Sequence, residues 1–143
     1  MLFRSPTDDP VTMAADAIGQ GEVLVSPMAL AAEAASVGSA QTLAPYLIDG
    51  KQPVPDAQPL TAQEAAYLQD MMHAVVTAGT LPQLYGWLDG GKSGTTEYGS
   101  DSPPKTHGWA VGYVGDWAIC AMDHEQTDSP YIPQFVIQQM LTK

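Results

Sequence analysis

Residues 109–122, WAVGYVGDWAICAM, contain two apolar, aromatic-rich runs that flank one Gly-Asp pair. Gly115-Asp116 has residue types that favour the two-residue turn of a β-hairpin. We therefore predict antiparallel strands over Trp109–Val114 and Trp117–Met122. A preceding strand over Lys92–Tyr98 is expected to pair with the first of these through the polar loop Gly99–Lys105.

Helices are predicted before this three-stranded meander. Ser26-Pro27 combines an N-cap residue with Pro at the first helical position, and the Ala-rich sequence that follows predicts a helix over residues 27–37 that stops at Gly38. Thr61-Ala-Gln-Glu64 is a capping box, which predicts a second helix to about Thr77, with Gly79 as a left-handed C-terminal turn.

The remaining segments complete the fold prediction. The Pro-spaced stretch Lys51–Pro59 is expected to be an extended connector, and Pro130 and Pro133 introduce a last helix over Pro133–Leu141. The order of helices, meander and terminal helix indicates the α+β class, with helices packed on an antiparallel sheet.

Composition and charge exclude several classes of function. The 143 residues are 45% hydrophobic and 15% charged, as in an ordinary globular domain, and the formal net charge is −11. Such a charge repels phosphate backbones and anionic headgroups, so no nucleic acid partner is expected. No apolar run is long enough to span a bilayer, so we also expect no direct membrane contact from this segment.

Two separate segments carry a family resemblance. Gly90-Gly-Lys-Ser-Gly-Thr-Thr-Glu97 is followed by Thr106-His-Gly-Trp-Ala-Val-Gly-Tyr113, and Ala17-Ile-Gly-Gln-Gly-Glu-Val-Leu-Val-Ser-Pro-Met-Ala-Leu30 lies upstream. Lys92-Ser93-Gly94 resembles the Lys-Thr/Ser-Gly element of the penicillin-binding proteins, and the upstream segment resembles their Ile-Gly-Gln-Gly stretch. The order and separation of the two segments fit the transpeptidase domain of that family.

The resemblance implies a role for each residue of the strand. The substrate would be a D-Ala-D-Ala stem peptide of peptidoglycan, or a β-lactam that imitates it, with a carboxylate beside the reacting carbonyl. Lys92 would be a catalytic and substrate-binding residue that supplies positive charge. The hydroxyls of Ser93 and Thr95 would bind the carboxylate, and Thr96 would be a further substrate-binding residue of the strand. Gly94 would let the ligand lie close, and the backbone N–H of Thr95 would be one oxyanion-hole donor.

Two elements of that family are missing from the 143 residues. The sole Ser-x-x-Lys string is Ser102-Pro-Pro-Lys105, whose prolines are incompatible with the helical turn that the nucleophile needs, and the sequence contains no asparagine for a Ser-x-Asn element. We therefore expect residues 1–143 to be the C-terminal portion of a transpeptidase domain that is inactive alone. Its expected partner is the N-terminal remainder, possibly as a separate chain, outside the bacterial cytoplasmic membrane.

Three other interpretations remain open. The chain could belong to a non-enzymatic β-lactam sensor or inactive homologue of the same fold, to a β-lactamase, or to an unrelated α+β interaction module in which Lys-Ser-Gly-Thr is only a turn. Upstream sequence would separate the first from a transpeptidase, and hydrolytic turnover would identify the second.

The other reactive side chains do not suggest a site of their own. Cys120 lies in an apolar run and is expected to be buried and unreactive. The three histidines His73, His107 and His124 lack ligand spacing, so no metal or cofactor is expected, and His107 should lie beside the binding groove. Of the tryptophans, Trp87 and Trp117 are expected in the core, and Trp109 is the candidate for lining the groove.

Overall fold

The α+β class is confirmed by a computed structural model, which describes residues 8–21, 23–50, 58–125 and 131–142. In these residues the elements, in chain order, are α1 (Pro10–Ala17), α2 (Pro27–Ser39), α3 (Ala62–Thr77), a short 3₁₀ turn (Pro82–Leu84), β1 (Gly90–Tyr98), β2 (Lys105–Val114), β3 (Trp117–Asp123) and α4 (Ile132–Leu141). Most of the predicted connector, residues 51–57, lies outside the described residues.

Helices α1, α2 and α3 begin where a side chain satisfies one of their first N–H groups. The predicted capping box is present, because the Glu64 N–H donates to Thr61 Oγ1 at 3.2 Å and the Thr61 N–H donates to Glu64 Oε2 at 2.9 Å. The Thr61 N–H and the Thr61 hydroxyl, which donates to Glu64 Oε2 at 2.7 Å, lower the pKa of the Glu64 carboxyl. Ser26 caps α2 as predicted, with its hydroxyl accepting from the Ala29 N–H at 3.2 Å.

Both glycine stops were wrong in detail. Helix α2 runs through Gly38 to Ser39, and Ala40 takes the left-handed conformation with φ 54°. Gly38 serves packing instead, since a Cβ there would lie 2.8 Å from the ring of Tyr113. Gly79 is not left-handed either, since it has no positive φ. The C-cap of α3 is Ala78, with φ −141°.

The three strands form one antiparallel sheet in the order β1-β2-β3. Gly115, with φ 52°, and Asp116 join β2 to β3 as predicted, and the register aligns Gly94 with Trp109 and Val114 with Trp117. Strands β1 and β2 are longer than predicted, starting at Gly90 and Lys105. Lys105, predicted as the last residue of the polar loop, is the first residue of β2.

Helices cover both faces of the sheet. On one face Ala110 and Ala121 pack with Ile137 of α4, with Val76 of α3 and with Leu81, which precedes the 3₁₀ turn. On the other face Val111 and Tyr113 pack against Ala34 of α2. Alternate residues of β2 therefore reach opposite layers, as a strand buried between two helical layers requires.

Considerable apolar surface stays exposed in this arrangement. Trp117 is 74% exposed and Trp87 is 36% exposed, so their expected place in the core is wrong. Trp117 is the first residue of the edge strand β3, directly after the hairpin turn. Large apolar side chains of α1 and α4 are exposed as well: Val11, Met13, Phe135, Val136 and Met140. None of the described helices combines the length and apolar character needed to cross a membrane.

Candidate functional site

A groove of about 730 Å³ runs along β1 between the sheet and the segment that leads into α2. Its sheet side contains all five residues predicted for substrate binding: Lys92, Ser93, Gly94, Thr95 and Thr96. Its opposite wall is apolar and comes from residues 18–30: Ile18, Gly19, Val23, Leu24, Val25, Pro27 and Leu30. The two segments that carry the family resemblance therefore face each other across one cavity.

The free edge of β1 presents backbone groups to this region. The Thr95 carbonyl accepts a bond from Gln20 Nε2 at 2.9 Å, and the Glu97 N–H donates to Gln20 Oε1 at 3.4 Å. In an antiparallel strand the N–H and C=O of one residue point to the same side. The N–H of Thr95 therefore also points away from β2, toward the open edge.

Gln20 is a site residue that the sequence did not single out for a contact. It belongs to the Ile-Gly-Gln-Gly segment, and its carboxamide bonds the edge of β1 as a further strand would. This bridge ties the segment that bears the apolar wall to the strand opposite. The contact joins residues 75 positions apart, so only the tertiary fold brings them together.

Charge and hydroxyl groups converge at the start of the groove. Lys92 is the only lysine or arginine among the described residues that line it, and its side chain is exposed. The Lys92 ammonium donates to the Ser93 carbonyl oxygen. The Ser93 hydroxyl contacts the Thr80 hydroxyl at 2.5 Å, and Thr80 is a second neighbour that sequence reasoning missed.

The floor of the groove is aromatic. Trp109 and His107 of β2 line it, as predicted for both, because the register places them opposite Gly94 and Thr96 of β1. The His107 ring stacks on Tyr98 with centroids 4.0 Å apart, and His124 lies 4.8 Å from His107. The three rings pack against one another, and His107 is the one among them that lines the groove. No group of three His, Cys, Asp or Glu side chains suited to a metal ion occurs in the described part of the chain.

The remaining candidate nucleophiles lie away from this groove. Ser102-Pro-Pro-Lys105 spans the loop between β1 and β2 and the first residue of β2, and the Lys105 ammonium pairs with Glu125 Oε1 at 3.1 Å. Cys120 is half-buried in the α2 layer, whereas the sequence predicted a buried residue. Burial raises the pKa of its thiol to about 11, which leaves little thiolate at neutral pH.

Comparison with known proteins gives one result. A search of curated proteins finds no match. The family model described as "Penicillin binding protein transpeptidase domain" matches residues 5–129, which include both segments that border the groove. The chain belongs to the penicillin-binding protein transpeptidase family.

Proposed function

We propose that this chain supplies the substrate-binding strand of a peptidoglycan D,D-transpeptidase that cross-links D-Ala-D-Ala stem peptides through a serine acyl-enzyme and binds β-lactams. The observation that carries the proposal is the edge of β1 along the groove, where a cation, hydroxyls and an outward-pointing amide lie within four consecutive residues, Lys92–Thr95. This set matches a ligand with a carboxylate next to a reacting carbonyl.

The chemistry divides between the two kinds of group. The Lys92 ammonium and the Ser93 and Thr95 hydroxyls would bind the carboxylate through charge-assisted hydrogen bonds, each contributing about 1.5 to 3 kcal/mol. The outward N–H of Thr95 would donate to the carbonyl oxygen as negative charge develops on it. Loss of one such donor typically costs about a hundred- to a thousandfold in turnover.

The nucleophile of the proposed reaction comes from outside the 143 residues. A Ser-x-x-Lys serine would form the acyl-enzyme, release D-Ala and then transfer the acyl group to an amine of a second stem peptide. The exposed apolar side chains of α1, β3 and α4 support a surface on which the remainder of the domain docks. Peptidoglycan lies outside the cytoplasmic membrane, so we propose an extracytoplasmic location for the parent protein.

Ligand binding without chemistry tests the strand directly. Titration of the ¹⁵N-labelled chain with acetyl-D-alanyl-D-alanine should shift the amide signals of residues 92–96. Lys92→Gln should weaken binding by about tenfold or more, because one charge-assisted interaction is lost. Lys105→Gln is the matched control, since Lys105 pairs with Glu125 outside the groove. Equal effects of the two substitutions would argue against a carboxylate site at Lys92.

Covalent labelling tests whether the nucleophile lies on a different polypeptide from the binding strand. A fluorescent penicillin should leave the isolated chain unlabelled. Label should appear when the chain is combined with a polypeptide that contains the Ser-x-x-Lys and Ser-x-Asn elements, and it should reside on that polypeptide. Stoichiometric labelling of the isolated chain would contradict the proposed origin of the nucleophile.

A further inference from the structure

Thr80 is held beside the binding strand by contacts on both sides of its backbone. Its carbonyl accepts a hydrogen bond from Gln134 Nε2 of α4 at 3.2 Å, and Gln134 is only 3% exposed. The next residue, Leu81, is fully buried, and its N–H donates to the Val75 carbonyl at 3.2 Å. The position of Thr80 is therefore fixed by the core and by α4.

The Thr80 hydroxyl meets the Ser93 hydroxyl at 2.5 Å. Each hydroxyl has one proton and two lone pairs, so one of the pair donates and the other accepts. Ser93 lines the groove, while Thr80 is not among the residues that line it. The direction of this bond decides whether Ser93 presents its proton or its lone pairs to a ligand.

A carboxylate can only accept hydrogen bonds. If Ser93 donated to Thr80, its lone pairs would face the negative charge of the ligand. If Thr80 donates to Ser93, the Ser93 proton is free to point into the groove. Donation by Thr80 also polarises the Ser93 hydroxyl and strengthens the bond that it makes in turn.

We propose that Thr80 is a positioning residue that donates its hydroxyl proton to Ser93 and so directs the Ser93 proton to the carboxylate of the ligand. The inference rests on the proposed function, because it requires a carboxylate ligand in the groove. Thr80 thereby sets a preference for carboxylate-terminated peptides over uncharged analogues.

The test compares two ligands that differ only in that group. Dissociation constants of acetyl-D-alanyl-D-alanine and its C-terminal amide are measured for the chain by NMR titration. The wild-type chain should prefer the carboxylate by about tenfold or more. Thr80→Val, which keeps the shape and removes the hydroxyl, should reduce that preference by about fivefold, and Thr80→Ser should restore it.

Thr77→Val is the matched control, because the Thr77 hydroxyl donates to the His73 carbonyl within α3 at 3.0 Å. It should leave the preference unchanged. A purely structural role of Thr80 would weaken both ligands equally, and an unchanged preference in Thr80→Val would likewise overturn the inference. Loss of preference in Thr80→Ser would overturn it even if the Val variant failed to fold. A wild-type chain that binds neither ligand, or both equally, would contradict the proposed function itself.

Discussion

Replacing Gly94 by alanine should weaken ligand binding without lowering the stability of the fold. A Cβ at residue 94 would lie 3.5 Å from the Trp109 Cβ, which is ordinary van der Waals contact. Gly94 also has no positive φ that would strain alanine. Since glycine loses more chain entropy on folding than alanine does, Gly94→Ala should keep or raise the free energy of unfolding, by up to about 1 kcal/mol.

The methyl carbon of alanine would project from the groove side of the strand by about 1.5 Å, the length of one carbon–carbon bond. A ligand displaced by that distance cannot keep hydrogen bonds to the neighbouring hydroxyls. The loss of one charge-assisted bond corresponds to about 1.5 to 3 kcal/mol, or roughly ten- to a hundredfold in Kd. Gly94→Ala should therefore fold well and bind acetyl-D-alanyl-D-alanine poorly.

Gly91, on the same strand, is a position where alanine should destabilise the fold. A Cβ there would lie 2.8 Å from Leu81 Cδ1 and 3.0 Å from the Val111 carbonyl oxygen. Gly91→Ala should lower the free energy of unfolding by about 1 to 3 kcal/mol in urea denaturation, since the core must shift. A Gly94→Ala variant as destabilised as Gly91→Ala, or one that binds the ligand with wild-type affinity, would contradict the predicted role of Gly94.

Three further predictions concern other parts of the molecule. Thr61→Ala should cost about 1 kcal/mol in urea unfolding. The pKa of Glu64 is lowered in the folded chain, so the stability that this carboxylate contributes is present above its unfolded pKa and is lost as pH falls through its folded pKa. The effect of Thr61→Ala should therefore shrink in acid, and a constant effect would argue against the capping box. Because burial raises the pKa of Cys120 to about 11, Ellman's reagent at pH 8 should react roughly a hundredfold more slowly than with a free thiol until urea is added, and fast reaction in the native chain would contradict this environment. Gln20→Ala should accelerate hydrogen exchange at the Glu97 amide, and an unchanged rate would show that the bridge to β1 contributes nothing.

The elements that the sequence predicted well are those specified by local chemistry. The capping box at Thr61 and the turn at Gly115-Asp116 depend on neighbouring residues, so their signals are complete in a few positions. Helix α1 has the same kind of signal, since Asp9 caps it and Pro10 opens it. It was missed because the segment is only eight residues long and contributes no side chain to the core of the described residues.

The same difference between local and long-range signals applies to the residues of the site. The strand that borders the groove was identified by the Lys-Ser-Gly motif, and the roles of its residues remain predictions. The partners of that strand could not be predicted, because Gln20 meets Thr95 across 75 positions and Thr80 meets Ser93 across a turn and a 3₁₀ segment. Both contacts are made by common polar side chains whose significance appears only once the strand edge is in place.

An exposed strand edge normally carries a protective feature, since its free N–H and C=O groups can pair with another chain. On β1 the carboxamide of Gln20 covers Thr95 O and Glu97 N–H, while Lys92 places a charge near the other end. Between them the N–H of Thr95 remains directed outward beside the groove. The net charge of −11 opposes an anionic ligand at long range, but salt screens that repulsion over about 10 Å, whereas Lys92 would act in contact. The edge is thus protected against unselective pairing, and under the proposed function it would stay open to a short extended ligand that carries a negative charge.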